Sequence, residues 1–214
     1  MNPARSRIAA AALVALGALA PATARSQGTS LTLQGGWRGG GSFIEAPSGV
    51  VRSVEPSPVL SVSLERAIDA SRAVQFHVSY QDTEVFAAPP AGTPLSAATP
   101  VTRLPLRLTT VHLGGTNFFD GPIGRGAFVA GGLGATFMSP GLAGTSTEAF
   151  LSLSVGIGYM WALAPNVALR VEARGLLVAV NGEGTLFCSG GCVVSLRGDA
   201  FLQGDVQAGL VIRF

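Results

Sequence analysis

His77-Val78-Ser79 sets an imidazole and a hydroxyl two residues apart, on one face of any extended segment. A serine becomes a nucleophile only when a neighbouring base takes its proton, so this pair is the chain's candidate for hydrolytic chemistry. The competing reading is a hydrogen-bonded histidine inside a folded core, and the alternation around the pair favours it. His112 is distant in sequence and reads as a single exposed imidazole near a strand end. Cys188 and Cys192 are separated by three small residues, which is neither the Cys-x-x-Cys of a redox enzyme nor enough ligands for a metal. The glycine runs Gly35-Gly36 and Gly39-Gly40-Gly41 lack the lysine and the following helix of a phosphate loop. These residues supply no catalytic, cofactor-binding or metal-ligating set, and the reading is a non-enzymatic protein without a cofactor.

The chain is 214 residues long, which suits one domain. Met1 to Ala24 has a short basic start at Arg5 and Arg7, an apolar stretch from Ile8 to Ala20, and a small-x-small site at Ala22-Thr23-Ala24. That is the pattern of a secretory signal peptide over 1–24, leaving 25–214 as the mature domain. In an exported protein, Cys188 and Cys192 are expected to form a loop disulfide, whose short closed loop limits its contribution to under ~3 kcal/mol. Without the leader, basic and acidic residues balance at twelve each, so the basic character of the whole chain points to no nucleic-acid partner. Only 12% of residues are charged and the mean hydropathy is +0.45, yet no apolar run reaches the ~18 residues of a spanning helix. Backbone polar groups in hydrocarbon can otherwise be satisfied only by a closed barrel.

Period-two alternation and turn residues place eight strands, near Leu31–Phe43, Pro58–Arg66, Ala73–Thr83, Thr102–Gly114, Gly126–Phe137, Ala149–Trp161, Val167–Ala179 and Ala200–Phe214. The fold class expected is all-β, an eight-stranded antiparallel up-and-down transmembrane barrel. Long connectors rich in Gly, Pro, Ser and Thr alternate with tight ones at Ala67–Arg72 and Ala162–Asn166, as they would between outer loops and periplasmic turns. In the seventh strand Val167, Leu169, Val171, Ala173 and Leu177 share one face, and Arg170, Glu172 and Arg174 the other. A basic residue facing lipid at mid-membrane costs roughly 2–4 kcal/mol, so the charged face must point inward. The same parity sends Ser61, Ser63, Glu65, Gln75, His77, Ser79, Gln81, Arg107, Thr109, Ser152 and Ser154 inward, and Leu104, Leu106 and Leu108 outward with the other apolar residues. An interior this narrow is filled by side chains. The expected lumen network is Arg38, Glu65, His77, Arg107, Arg170, Glu172, Arg174 and Asp205, with one arginine more than it has acids.

The last strand alternates Leu202, Gly204, Val206, Ala208, Leu210, Ile212 and Phe214 against Gln203, Asp205, Gln207 and Arg213. Its ending, Gln207, Gly209, Ile212 and terminal Phe214, resembles the C-terminal signal that outer-membrane barrels present to their assembly machinery. With GAFVAGGLGATF over 126–137 and SVGIGYMWALAPNVALRVEAR over 154–174, the mature chain resembles the small outer-membrane barrels typified by OmpA, OmpX and OmpW. The resemblance implies the outer membrane of a Gram-negative bacterium, contact with its lipid, the assembly machinery as a transient partner, and a monomer whose exposed loops meet the surroundings or support the envelope. An OmpW-like passage of a small hydrophobic solute is the alternative it allows. His77-x-Ser79 is also similar to the pair of the outer-membrane lipid A deacylases. There, however, an Asn follows the Ser and the pair faces lipid, whereas here Tyr80 follows and the parity is inward.

Overall fold

A computed structural model describes residues 28–46, 51–87, 103–119, 121–141, 145–180, 195–197 and 200–214. The proposed leader and both cysteines lie outside these residues. The described chain is strand throughout: β1 (Thr29–Gly39), β2 (Ser42–Ala46), β3 (Val51–Val54), β4 (Ser57–Ala67), β5 (Arg72–Ala87), β6 (Arg103–Phe118), β7 (Gly126–Pro140), β8 (Glu148–Ala164), β9 (Val167–Val178), β10 (Ser195–Arg197) and β11 (Phe201–Arg213). Eight of them, β1, β4, β5, β6, β7, β8, β9 and β11, pair antiparallel with their neighbours, and β11 returns to β1 from Ser30↔Arg213 to Gly39↔Gly204. Closure leaves the wall without an edge, so backbone groups are satisfied within the sheet. The remaining three strands form an extension at the long-loop end, where β3 pairs with β5, β2 with β3, and β10 with β2. The connector 44–57, expected as a loop, thus contains a short hairpin.

Alternation decides which face meets which surroundings. Along β11 burial alternates almost without interruption, with Gln203, Asp205 and Gln207 buried and Leu202, Val206, Leu210 and Ile212 exposed. β4, β8 and β9 alternate the same way, so an apolar belt encircles the outside while serines, glutamines and charges fill the inside. Tyr159, Trp161 and Phe214 stand exposed at the short-turn end, the two rings of β8 with centroids 4.6 Å apart. The tight turn between β4 and β5 is held by Asp69, which accepts from the backbone N–H of Ser71 at 2.9 Å and of Arg72 at 2.8 Å. Those bonds and the Arg72 guanidinium stabilise the carboxylate and pull the Asp69 pKa down to about 2.

The fourth barrel strand reverses the expected parity. In β6, Leu104, Leu106, Leu108 and His112 are buried, whereas Arg107 is 57% exposed and pairs with the 64% exposed Asp82. Thr109 shares the outward face. The reason is that β5 and β6 climb beyond the apolar belt, where an outward charge meets a polar medium and an inward leucine finds apolar company. That company is a cluster at the long-loop end formed by Val54, Val85, Leu104, Leu106, Leu108, Met138, Leu176, Val178, Val180 and Phe201. A second cluster, Phe118, Phe128, Ala130, Met160, Ala168 and Val211, fills the short-turn end. The interior is therefore layered, with a polar zone between two apolar ones.

Candidate functional site, the buried polar core

Inward positions of β9 supply Arg170, Glu172 and Arg174 at the middle of the barrel, one every second residue. Glu172 links the two arginines, its Oε2 accepting from Arg170 Nε at 2.9 Å and its Oε1 from Arg174 Nε at 2.8 Å. Glu65 of β4 closes the chain of charge by accepting from Arg170 Nη1 at 2.8 Å, and it also accepts from Thr116 and Gln75. The Arg170 guanidinium lies over the Phe128 ring, 4.2 Å from its centroid. Room for these side chains comes from inward glycines on β8. A Cβ at Gly156 would fall 2.6 Å from Glu172 Oε1, and one at Gly158 would overlap the Phe128 ring and the Val171 carbonyl.

A second group sits across the lumen. Arg38 donates through Nε to Asp205 at 2.8 Å and through Nη2 to Ser79 at 3.1 Å, while Gln207 donates to Asp205 at 2.8 Å. The buried charges among the described residues are then Arg38, Arg170 and Arg174 against Glu65, Glu172 and Asp205, and they cancel. The expected arginine excess disappears because Arg107 lies outside the barrel. Cancellation matters because an unpartnered buried ion costs several kcal/mol.

The histidines are woven into the same zone. His77 is buried, with Nδ1 2.8 Å from Ser63 Oγ, and its Nε2 has no hydrogen-bond partner among the described residues. Ser79 hydrogen-bonds to Arg38 and not to His77, so the residues adjacent in sequence do not act as a pair. His112, expected at the rim, is instead fully buried between Ser154 and Ser152, each 2.8 Å from a ring nitrogen. The signal that could have located it was the run Leu104, Leu106, Leu108, Thr110 and His112 on one face, read outward because its first members are greasy. All these hydroxyls lie between the two apolar clusters. Among the described residues no group of three or more His, Cys, Asp or Glu side chains is placed to hold a metal ion.

The terminal motif residues occupy the seam. Gln207 is buried against Ser61 and Asp205, Gly209 lies against the β1 backbone at Gln34, Ile212 faces outward opposite Leu31, and Phe214 N–H donates to Thr29 O at 3.0 Å.

No protein-family model matches the chain, and no curated relative matches it. Solved structures do. The Neisserial surface protein A superposes with a TM-score of 0.56 at 17% identity, over 88% of this chain and 98% of that one. OprG of Pseudomonas aeruginosa gives a TM-score of 0.51 at 11% identity over 87% and 96%. AlkL, solved in lipid bilayers, gives 0.50 at 14% identity over 91% and 94%. At such identities the likeness speaks to architecture alone, and the chain has the fold of the small eight-stranded outer-membrane β-barrels.

Proposed function

We propose that the protein is an integral outer-membrane barrel of a Gram-negative bacterium, non-enzymatic, in which the barrel is a closed anchor and the long-loop end carries the contacts. The observation that carries this reading is the layered interior. A charge-neutral polar core with apolar clusters towards both ends fills the interior with side chains, while the outward belt suits hydrocarbon. In this reading residues 1–24 direct export, Cys188 and Cys192 staple the last long loop, and the terminal Gln207-x-Gly209-x-x-Ile212-x-Phe214 presents the closing strand to the assembly machinery. The protein works as a monomer surrounded by lipid, with the short turns on the periplasmic side.

One observation favours a second reading, passage of a small hydrophobic solute: the interior at the long-loop end is lined by leucine, valine, methionine and phenylalanine. Reconstitution into vesicles separates the two. The anchor reading expects no ion-conductance steps and no entry of an apolar fluorescent probe above that of protein-free vesicles. Probe entry that depends on the folded protein would replace it with the solute reading, and a lipid hydrolysis activity abolished by Ser79→Ala would replace both.

A further inference from the structure

At the short-turn mouth of the barrel, two opposite charges share one row of the sheet and do not meet. Ser30 of β1 stands opposite Arg213 of β11 on one side and opposite Glu65 of β4 on the other. Two strand spacings of ~4.8 Å separate the outer members of this row, about 10 Å between their Cα atoms. An arginine and a glutamate so placed could join through their side chains, yet each is turned elsewhere. Glu65 pairs with Arg170 at 2.8 Å, towards the middle of the barrel, and its three donors, Arg170, Gln75 and Thr116, all meet the same oxygen, Oε1. Arg213 extends to the β6–β7 turn, where a Cβ on Gly124 would fall 2.5 Å from its Nη1. Its Nε is buried and has no hydrogen-bond partner among the described residues.

A cavity of about 330 Å³ lies at this mouth, lined by Arg213, Glu65 and the Ser30 between them. Its apolar walls are Met160 and Val211, from the cluster at the short-turn end, and Ile123, which packs against that cluster. The volume is at the lower end of the range of small-molecule sites. The charges decide which molecule. An anion alone would gain Arg213 but face the Glu65 carboxylate, and a cation alone would gain Glu65 but face the guanidinium. A molecule with a carboxylate and an ammonium on neighbouring atoms satisfies both, the carboxylate accepting from Arg213 Nε–H and the ammonium donating to Glu65 Oε2. Such a molecule is neutral overall, so the balance of the buried core is unchanged. The walls then favour an aliphatic side chain over a polar one.

We propose that this cavity is a binding site for a small zwitterion of the α-amino-acid type with an aliphatic side chain. That the ligand arrives from the periplasm rests on the membrane reading given above, whereas the chemistry of the cavity does not. The test titrates the folded full chain in detergent micelles with valine, with isovalerate, which lacks the ammonium, and with isobutylamine, which lacks the carboxylate. Methyl NMR signals of Ile123 and Met160 report on the cavity, and that of Met138, in the cluster at the opposite end, is the control. Valine should shift Ile123 and Met160 saturably and leave Met138 in place, and each analogue should bind at least about ten-fold more weakly, one charge-assisted contact being lost. Arg213→Gln should bring valine down to the affinity of isobutylamine, while Arg213→Lys keeps the charge and should bind valine more tightly than Arg213→Gln does. The analogue comparison uses the unmodified chain, so it decides the matter even where a variant fails to fold. Equal affinity of valine and either analogue, no saturable shift, or equal shifts at Met138 would overturn the proposal. A chain that binds valine in micelles but enters no bilayer would sink the membrane reading and leave the site standing.

Discussion

Two arginines of this barrel show how position sets the worth of a charge. Arg170 is wholly buried, paired with Glu65 and Glu172 and stacked on Phe128, so Arg170→Gln leaves Glu65 buried without its cation and Glu172 with Arg174 alone. A loss of about 3–5 kcal/mol is expected in urea-induced unfolding from vesicles. Arg107→Gln removes an exposed pair and should change the same measurement by under ~1 kcal/mol. Reversed magnitudes would refute the assignment of inside and outside on β6. At the turn, the Asp69 carboxyl holds a pKa of about 2 against an ordinary 3.8. Because the folded value is the lower one, the stabilisation is fully present above pH 3.8 and is lost as pH falls towards 2. A carbon-detected NMR titration should find Asp69 ionised well below the other exposed carboxyls, and a midpoint near 3.8 would show the turn to be open.

At the scale of the strand, the eight barrel segments were legible because hydrocarbon outside and packed polar groups inside force a period of two on each of them. β4, β8, β9 and β11 obey that rule with few exceptions, so their faces follow from the sequence. β6 does not, since its first residues leave the belt: Arg107 returns to a polar medium on the outside, and the leucines beside it turn into an apolar lumen layer. Periodicity identifies two faces but not which faces lipid, and polarity decides only within the band. The hairpin β2–β3 was not legible either, because it is held by pairing with the far end of β5 and not by its own pattern. The closing strand carries its own test. Phe214 fixes the seam through its N–H on Thr29 and sets an aromatic side chain at the interface, so its deletion should lower the yield of folded protein in the membrane fraction. An unchanged yield would mean that the terminus is not part of the assembly signal.

For the whole molecule, the layered interior explains why a chain with so few charges holds six of them inside. They cancel in pairs, are enclosed by apolar layers, and leave the outer wall free to be greasy. How the interior divides into three zones was not legible, because it depends on which positions of different strands come to the same height, and that is fixed by register. The central claim is that the outer wall touches hydrocarbon, and the chain's two tryptophans report on it directly, since Trp37 and Trp161 both stand exposed on that wall, towards its opposite ends. In vesicles of lipids brominated along the acyl chain, the fluorescence of both should be strongly quenched, while acrylamide in the water should quench them weakly. Free quenching by acrylamide with none by brominated lipid would contradict the account.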